Sequence, residues 1–226
     1  MRVRRILTAP EADQRVTVPE QPVNTTPSAA ADLRRAPSIL AFAGSTRRGS
    51  TNRRVLAVAA AAAEAAGAAV TLIDLRDYPL PVYDGDYETD HGVPAEALAL
   101  KALFKSHRGL LIATPEYNTS ISGVLKNTID WVTRPVPGEA FLECFNGKVA
   151  ALVSATLGPM GGIRAQAHLR QILSGINAVV LPEHWAVPGA TDASFGADGN
   201  LQDATHQAMV QRVGASLARF LSRLAD

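Results

Sequence analysis

The sequence predicts an α/β domain built on a five-stranded parallel sheet with helices on both faces. Short apolar segments of strand type alternate five times with longer helical segments, which is the pattern of consecutive βαβ units. The composition, with 47% hydrophobic and 19% charged residues, is that of a globular protein. The expected strand order is 2-1-3-4-5, which makes the first, third and fourth strands neighbours.

Local features of the sequence predict each strand and helix. The strands are apolar runs bounded by turn residues, and the sequence predicts them at 38–44, 69–75, 109–115, 147–155 and 177–182. The first helix is rich in alanine and ends at Gly67, a C-cap residue. The helices are predicted at 53–67, near 94–107, from the loop after the third strand to about 134, at 162–173, and after 201. A long polar loop at 76–92, with acidic residues at alternate positions, is expected after the second strand.

Residues 1–37 are rich in Pro, Thr, Ala and charged residues and show no sustained period. We expect a flexible N-terminal extension there, followed by one domain at 38–226.

Composition and charge narrow the function classes. The formal net charge of +1 gives no electrostatic reason to expect a nucleic-acid partner. No apolar run approaches the roughly 18 residues of a membrane span, so we expect no membrane partner. The single cysteine, Cys144, is expected to be a packing or surface residue, and it favours a reducing, cytoplasmic location. The five histidines lack the spacing of metal ligands, so no metal site is predicted.

The segment GSTRRGSTN (44–52) joins the first strand to the first helix. Such a turn directs backbone N–H groups and the positive end of the helix dipole at one point, where an anion can bind. The segment lacks the dinucleotide pattern, and Ser50 stands where a triphosphate loop has lysine. A monophosphate therefore fits better, although Ser50 or Thr51 could simply be a helix N-cap.

Two further loops should lie at the same edge of the sheet. The third strand ends in Thr114-Pro115, and the next residues, 116–120, offer a tyrosine ring, an amide, a hydroxyl and several N–H groups. That inventory suits a flat, heteroatom-rich ring. The segment 154–164 after the fourth strand contains Gly158, Gly161 and Gly162, which allow a close backbone approach to a ligand. The same strand order in flavodoxin places FMN between the first and third strands.

These motifs together resemble the NADPH-dependent FMN reductase family, whose members have a flavodoxin-like fold. The matching segments, in chain order, are G-S-T-R-x-x-S-x-N at 44–52, L-P-V-Y-D at 80–84, P-E-Y-N-x-S at 115–120, G-V-L-K-N-x-I-D-W at 123–131 and G-x-x-G-G at 158–162. The resemblance covers the chain from Ser38 to about Asp226, more than four fifths of its length.

The resemblance implies a role for each loop. The residues implied in holding the FMN phosphate are Ser45, Arg47, Ser50, Thr51 and Asn52. Those implied in lining the isoalloxazine, largely through backbone groups, are Pro115, Glu116, Tyr117 and Asn118. Those implied on its pyrimidine side are Ser154, Gly158, Gly161 and Gly162. No catalytic acid or base is expected, because the cofactor supplies the chemistry.

The resemblance also implies the activity and the assembly. NADPH, or NADH, would reduce bound FMN, which would pass electrons to a small acceptor such as a quinone, an azo dye, a metal oxyanion or a flavin. A flavin-binding electron carrier or redox sensor remains an alternative, as does a nucleotide hydrolase. A homodimer or homotetramer is implied, with Trp131, a core or interface residue, and the 78–90 loop as candidate contacts. Many relatives have proline at Ser122 and Ser-Pro at Thr156-Leu157, so we expect Ser122 to affect acceptor preference.

Overall fold

The computed structural model describes residues 37–224, so the predicted flexible extension at 1–37, apart from its last residue, lies outside the described part. The described residues form a parallel sheet in the order β2-β1-β3-β4-β5, which confirms the predicted topology. The strands are β1 (Ser38–Ala43), β2 (Ala69–Ile73), β3 (Gly109–Ala113), β4 (Val149–Ala155) and β5 (Val179–Val187). The three central strands are buried along almost their whole length, as expected when helices cover both faces.

The helices of the described part are α1 (Thr51–Ala65), α2 (Gly85–His91), α3 (Ala95–Ser106), α4 (Gly123–Val132), α5 (Ile163–Gly175) and α6 (Ala204–Arg223). Buried side chains of α1 and α6 share one core with Ile39 and Ala41 of β1. Buried side chains of α3, α4 and α5 share a second core with Leu40 and Phe42. Alternate residues of one strand thus face opposite layers, as the period of a strand requires.

The alanines of α1 have a packing role that their helix propensity alone does not reveal. Ala59, Ala60 and Ala63 are buried, and a Cβ at Gly214 of α6 would overlap the backbone of Ala59. Small side chains on both helices therefore allow α1 and α6 to approach closely. This contact fixes the position of α1, whose first turn lies at the predicted anion site.

Two elements differ from the sequence prediction. The predicted polar loop at 76–92 contains α2, because Asp84 is an N-cap whose carboxylate accepts hydrogen bonds from the N–H groups of Asp86 and Tyr87. β5 continues past Pro182, where the sequence prediction ended it. Proline is tolerated there because β5 is an edge strand, and its register against β4 shifts between Ala150 and Leu152.

Trp131 belongs to the core of the chain. Its side chain is 0% exposed, and its Nε1–H donates to the carbonyl of Pro81 at 2.8 Å. Tyr83 packs edge-on against its ring, with centroids 5.1 Å apart. A fully buried side chain has no area to offer a second subunit, so of the two places expected for Trp131 the structure confirms the core and not a dimer contact. Trp131 anchors the segment before α2.

None of the helices between residues 37 and 224 is long and apolar enough to cross a bilayer.

Candidate active site

The carboxyl ends of β1, β3 and β4 meet at one edge of the sheet and enclose a cavity of about 280 Å³. We name the three segments around it the phosphate loop (44–50), the ring loop (115–120) and the glycine loop (156–162). The residues that line the cavity are Ser45, Arg47, Ser50, Thr51, Asn52, Pro115, Glu116, Tyr117, Ala155, Thr156, Leu157 and Gly158. The structure therefore brings together most of the predicted site residues. Asn118, Ser154, Gly161 and Gly162 lie outside this lining.

The phosphate loop ends in the N-terminus of α1. Ser50 is the N-cap, and its Oγ accepts a hydrogen bond from the N–H of Arg53 at 3.4 Å. The N–H groups of Thr51 and Asn52 belong to the first turn, where a helix offers no acceptor of its own. Ser45 and Ser50 are buried, while Arg47 is exposed. The N-cap interpretation and the anion-site interpretation are therefore compatible, since within the described part of the chain the Ser50 side chain accepts only from the N–H of Arg53.

The side chain of Asn52 joins α1 to the end of β4. Its Nδ2 donates to the carbonyl of Ala155 at 2.8 Å, and its Oδ1 accepts from the N–H of Ala155 at 2.9 Å. The amide is buried and both of its polar atoms are engaged. The structure therefore gives this side chain a structural role at the floor of the cavity, and its implied contact with an FMN phosphate stays a prediction.

The ring loop contains a tight turn. Tyr117 and Ser120 exchange two backbone hydrogen bonds of 2.9 and 3.0 Å, and Asn118 and Thr119 between them have φ values of 48° and 67°. Two consecutive positive φ angles define a type I′ turn, which favours asparagine at its first central position. Asn118 thus shapes the loop, while the Tyr117 ring is 55% exposed on the cavity lining.

Glu116 connects the ring loop to the start of α5. Its Oε2 accepts from the backbone N–H groups of Arg164 and Ala165 at 3.1 and 3.4 Å, and its Oε1 accepts from Nε of Arg164 at 2.7 Å. Burial alone would raise the pKa of this carboxyl, but the Arg164 guanidinium and the two N–H donors outweigh burial and hold the pKa below its ordinary value. The carboxylate is therefore ionised and fully engaged, which does not suit a general acid.

Beneath the glycine loop lies Ser154. Its Oγ donates to the carbonyl of Gly161 at 2.7 Å and lies 2.6 Å from the Nε2 donor of Gln166. Gly162 has φ of 95°, and a Cβ there would stand 2.7 Å from the Cβ of Ser154. Both the backbone conformation and the lack of space require glycine at this position. These residues hold the loop that forms one wall of the cavity.

Sequence reasoning did not identify the structural role of Ser122. Its buried Oγ donates to the carbonyl of Gly44 at 2.6 Å and accepts from the N–H of Leu125 at 3.3 Å as the N-cap of α4. A Cβ at Gly44 would stand 2.8 Å from Leu125. Ser122 therefore connects the phosphate loop to the helix after the ring loop, and its side chain does not line the cavity.

The donors and shapes around the cavity fit FMN. One end offers the hydroxyls of the phosphate loop, the first turn of α1 and Arg47, which suit a phosphate. The other end offers Pro115, the Tyr117 ring and the glycine loop, which suit a flat ring. Residues 37–224 contain no group of three or more His, Cys, Asp or Glu side chains arranged to hold a metal ion.

Comparison with known proteins shows the family of the chain. The family model described as NADPH-dependent FMN reductase matches residues 37–192. A probable NADPH:quinone oxidoreductase 2 of Oryza sativa subsp. japonica is 35% identical over 190 residues, covering 82% of this chain and 89% of the rice protein. An NAD(P)H-dependent FMN reductase of Pseudomonas aeruginosa is 34% identical over 186 residues, covering 82% of this chain and 96% of that protein.

A solved structure gives the same relationship. The flavoenzyme NAD(P)H:(acceptor) oxidoreductase from Paracoccus denitrificans superposes with a TM-score of 0.69 at 28% identity, covering 83% of this chain and 98% of the other. The chain belongs to the NADPH-dependent FMN reductase family and is an oxidoreductase that uses FMN as cofactor and NAD(P)H as co-substrate.

Proposed function

We propose that FMN binds in the cavity between the three loops and that quinone-type molecules are the physiological acceptors. The observation that carries this proposal is the convergence of an anion-binding helix start, an aromatic loop and a glycine loop on one cavity. The rice relative, which is named for quinone reduction, supports the acceptor class.

The phosphate end of the proposed site is the first turn of α1. Ser45, Ser50 and Thr51 would present hydroxyls to the phosphate, and Arg47 would supply the compensating charge. Asn52 would act from below by fixing α1 to β4 through Ala155. Asn118, Ser154, Gly161 and Gly162 would support the ring end indirectly, by shaping the ring loop and the glycine loop.

Bound FMN supplies the chemistry of accepting a hydride from the nicotinamide and releasing electrons to the acceptor. The chain positions the ring and governs access to it. The cavity volume of about 280 Å³ lies just below the usual range for ligand pockets, which begins at about 300 Å³. Part of the ring would therefore remain outside, beside Tyr117 and Leu157, which are 55% and 74% exposed. That arrangement lets two substrates reach the same ring in turn and favours an enzyme over a carrier with a covered flavin.

The replacement Ser50→Asp tests the location of the phosphate. Aspartate is as good an N-cap as serine, so α1 should keep its first turn. The added carboxylate would repel the phosphate, and we expect the Kd for FMN to rise at least about tenfold while riboflavin binding changes little. Fluorescence titration of the apoprotein with each flavin measures both. An equal loss for both flavins would contradict this placement of the phosphate.

Assembly and compartment are also proposed. A homodimer or homotetramer would bury exposed apolar residues of the 78–90 segment, such as Val82, which is 84% exposed. Cys144 is buried, and burial raises the pKa of its thiol, which suits an unreactive thiol in a reducing cytoplasm. Light scattering at micromolar concentration tests the assembly, and a monomeric mass would contradict it.

A further inference from the structure

We propose that Glu116 is a positioning residue that holds the ring loop to the glycine loop, so that the two walls around the flavin keep a fixed distance. This inference rests on the proposed placement of FMN in the cavity. It gives Glu116 a role through its carboxylate, beyond the backbone contact that the family resemblance implies.

The start of α5 lacks a cap from its own sequence. Its N-cap residue is Gly162, which has a left-handed backbone and no side chain to accept a hydrogen bond. The carboxylate of Glu116, from the loop after β3, accepts from the N–H groups of Arg164 and Ala165 instead. A negative charge at this end of a helix is also favoured by the helix dipole. Glu116 is therefore an N-cap supplied from another loop.

An ion pair and a further hydrogen bond also connect the ring loop to α5. The Arg164 guanidinium contacts Glu116 through Nε and Nη2, and the side chain of Glu116 is only 7% exposed. Further along α5, Nδ1 of His168 lies 3.0 Å from Oγ of Ser120 at the other end of the ring loop. Two points of the ring loop are thus attached to successive turns of α5.

The contacts of Glu116 determine the distance between the two walls of the flavin site, because Glu116 belongs to the ring loop and its partners Arg164 and Ala165 directly follow the glycine loop. The ring loop carries Pro115 and Tyr117 on the cavity lining, and the glycine loop leads directly into Gly162 and α5. If the Glu116 carboxylate is removed, the first turn of α5 loses its acceptor and the ring loop keeps only its attachment through Ser120. Both walls should then become more mobile together.

The test compares Glu116→Ala and Glu116→Gln with Asp203→Ala in the FMN-free protein and at saturating FMN. Glutamine keeps one oxygen as an acceptor for the N–H groups, so Glu116→Gln should keep most of the FMN affinity and of the attachment between the two loops. Asp203 is a matched control, because it caps α6 through the N–H of His206 at 2.8 Å and does not line the cavity. Removal of the Asp203 carboxylate should reduce the stability of the protein without changing the Kd for FMN or the circular dichroism of bound FMN.

For Glu116→Ala we expect amide exchange in both 116–120 and 163–166 to rise about tenfold, and the Kd for FMN to rise by about the same factor. The visible circular dichroism of bound FMN should change in Glu116→Ala and return in Glu116→Gln. Faster exchange at 163–166 alone, with unchanged Kd and circular dichroism, would overturn the proposal. These readouts need no acceptor turnover, so a failure of the proposed quinone activity would be recognised separately.

Discussion

The Asn52→Ala replacement tests how the cavity is built, because the Asn52 side chain joins α1 to the end of β4. The Asn52 amide makes two buried hydrogen bonds of 2.8 and 2.9 Å with the backbone of Ala155. Alanine removes both partners from Ala155, and each buried backbone group that loses its partner costs about 1–3 kcal/mol. Because water can enter the space left by the amide, we expect a total loss near the lower end of the summed range, about 2–4 kcal/mol in the free energy of unfolding.

The measurement is urea unfolding of the FMN-free protein, with FMN affinity determined separately. Asn127→Ala is the matched control, since the Asn127 amide also makes two backbone hydrogen bonds, to Tyr83 and Pro81, away from the cavity. Both variants should lose stability, but only Asn52→Ala should also weaken FMN binding. If Asn52→Ala left the FMN-free protein within about 0.5 kcal/mol of the wild type while FMN affinity collapsed, the amide would contact the ligand directly and the structural role would be refuted.

Three further predictions follow from other contacts. Ser122→Ala should lower the free energy of unfolding by about 1–2 kcal/mol and weaken FMN binding. In contrast to the expectation from the sequence, the order of preference between two quinones should stay the same, because Ser122 does not line the cavity; a reversed order in a quinone panel would refute this. Gly162→Ala should lower stability by at least about 2 kcal/mol, whereas Gly175→Ala, with no heavy atom within 4 Å of its added Cβ, should be close to neutral in the same thermal scan. The pKa of Glu116 is lower in the folded protein than its ordinary value of 4.5, so the ionised carboxylate stabilises the fold fully at pH values above 4.5. This contribution is lost as the pH falls through the pKa of the folded state. The gap in stability between wild type and Glu116→Gln should therefore narrow on acidification, and a gap independent of pH would contradict the assignment.

The sequence was sufficient to predict the sheet and the edge at which three loops border a cavity. Strand order and the three loops at one edge follow from alternation and from turn residues such as Pro115 and the glycines at 158–162. Patterns of this kind are local, and each agrees with the global fold.

The roles of individual polar side chains could not be predicted in the same way. Asn52, Glu116 and Ser122 all reach partners from distant parts of the chain, at Ala155, Arg164 and Gly44. The family motif includes Asn52 and Glu116, whereas Ser122 departs from it. Only the packing of α1, α4 and α5 shows that all three side chains connect the loops around the cavity. Helix α2 is a different case, since its N-cap Asp84 is a local signal within the segment that the sequence predicts as a polar loop.

The most direct test of the central claim is a pair of anaerobic half-reactions on the FMN-loaded protein. NADPH or NADH should bleach the visible absorbance of the bound flavin, and a quinone added afterwards should restore it, at rates that account for steady-state turnover. Stable FMN binding without bleaching by either nicotinamide, or bleaching that no quinone reverses, would contradict the account.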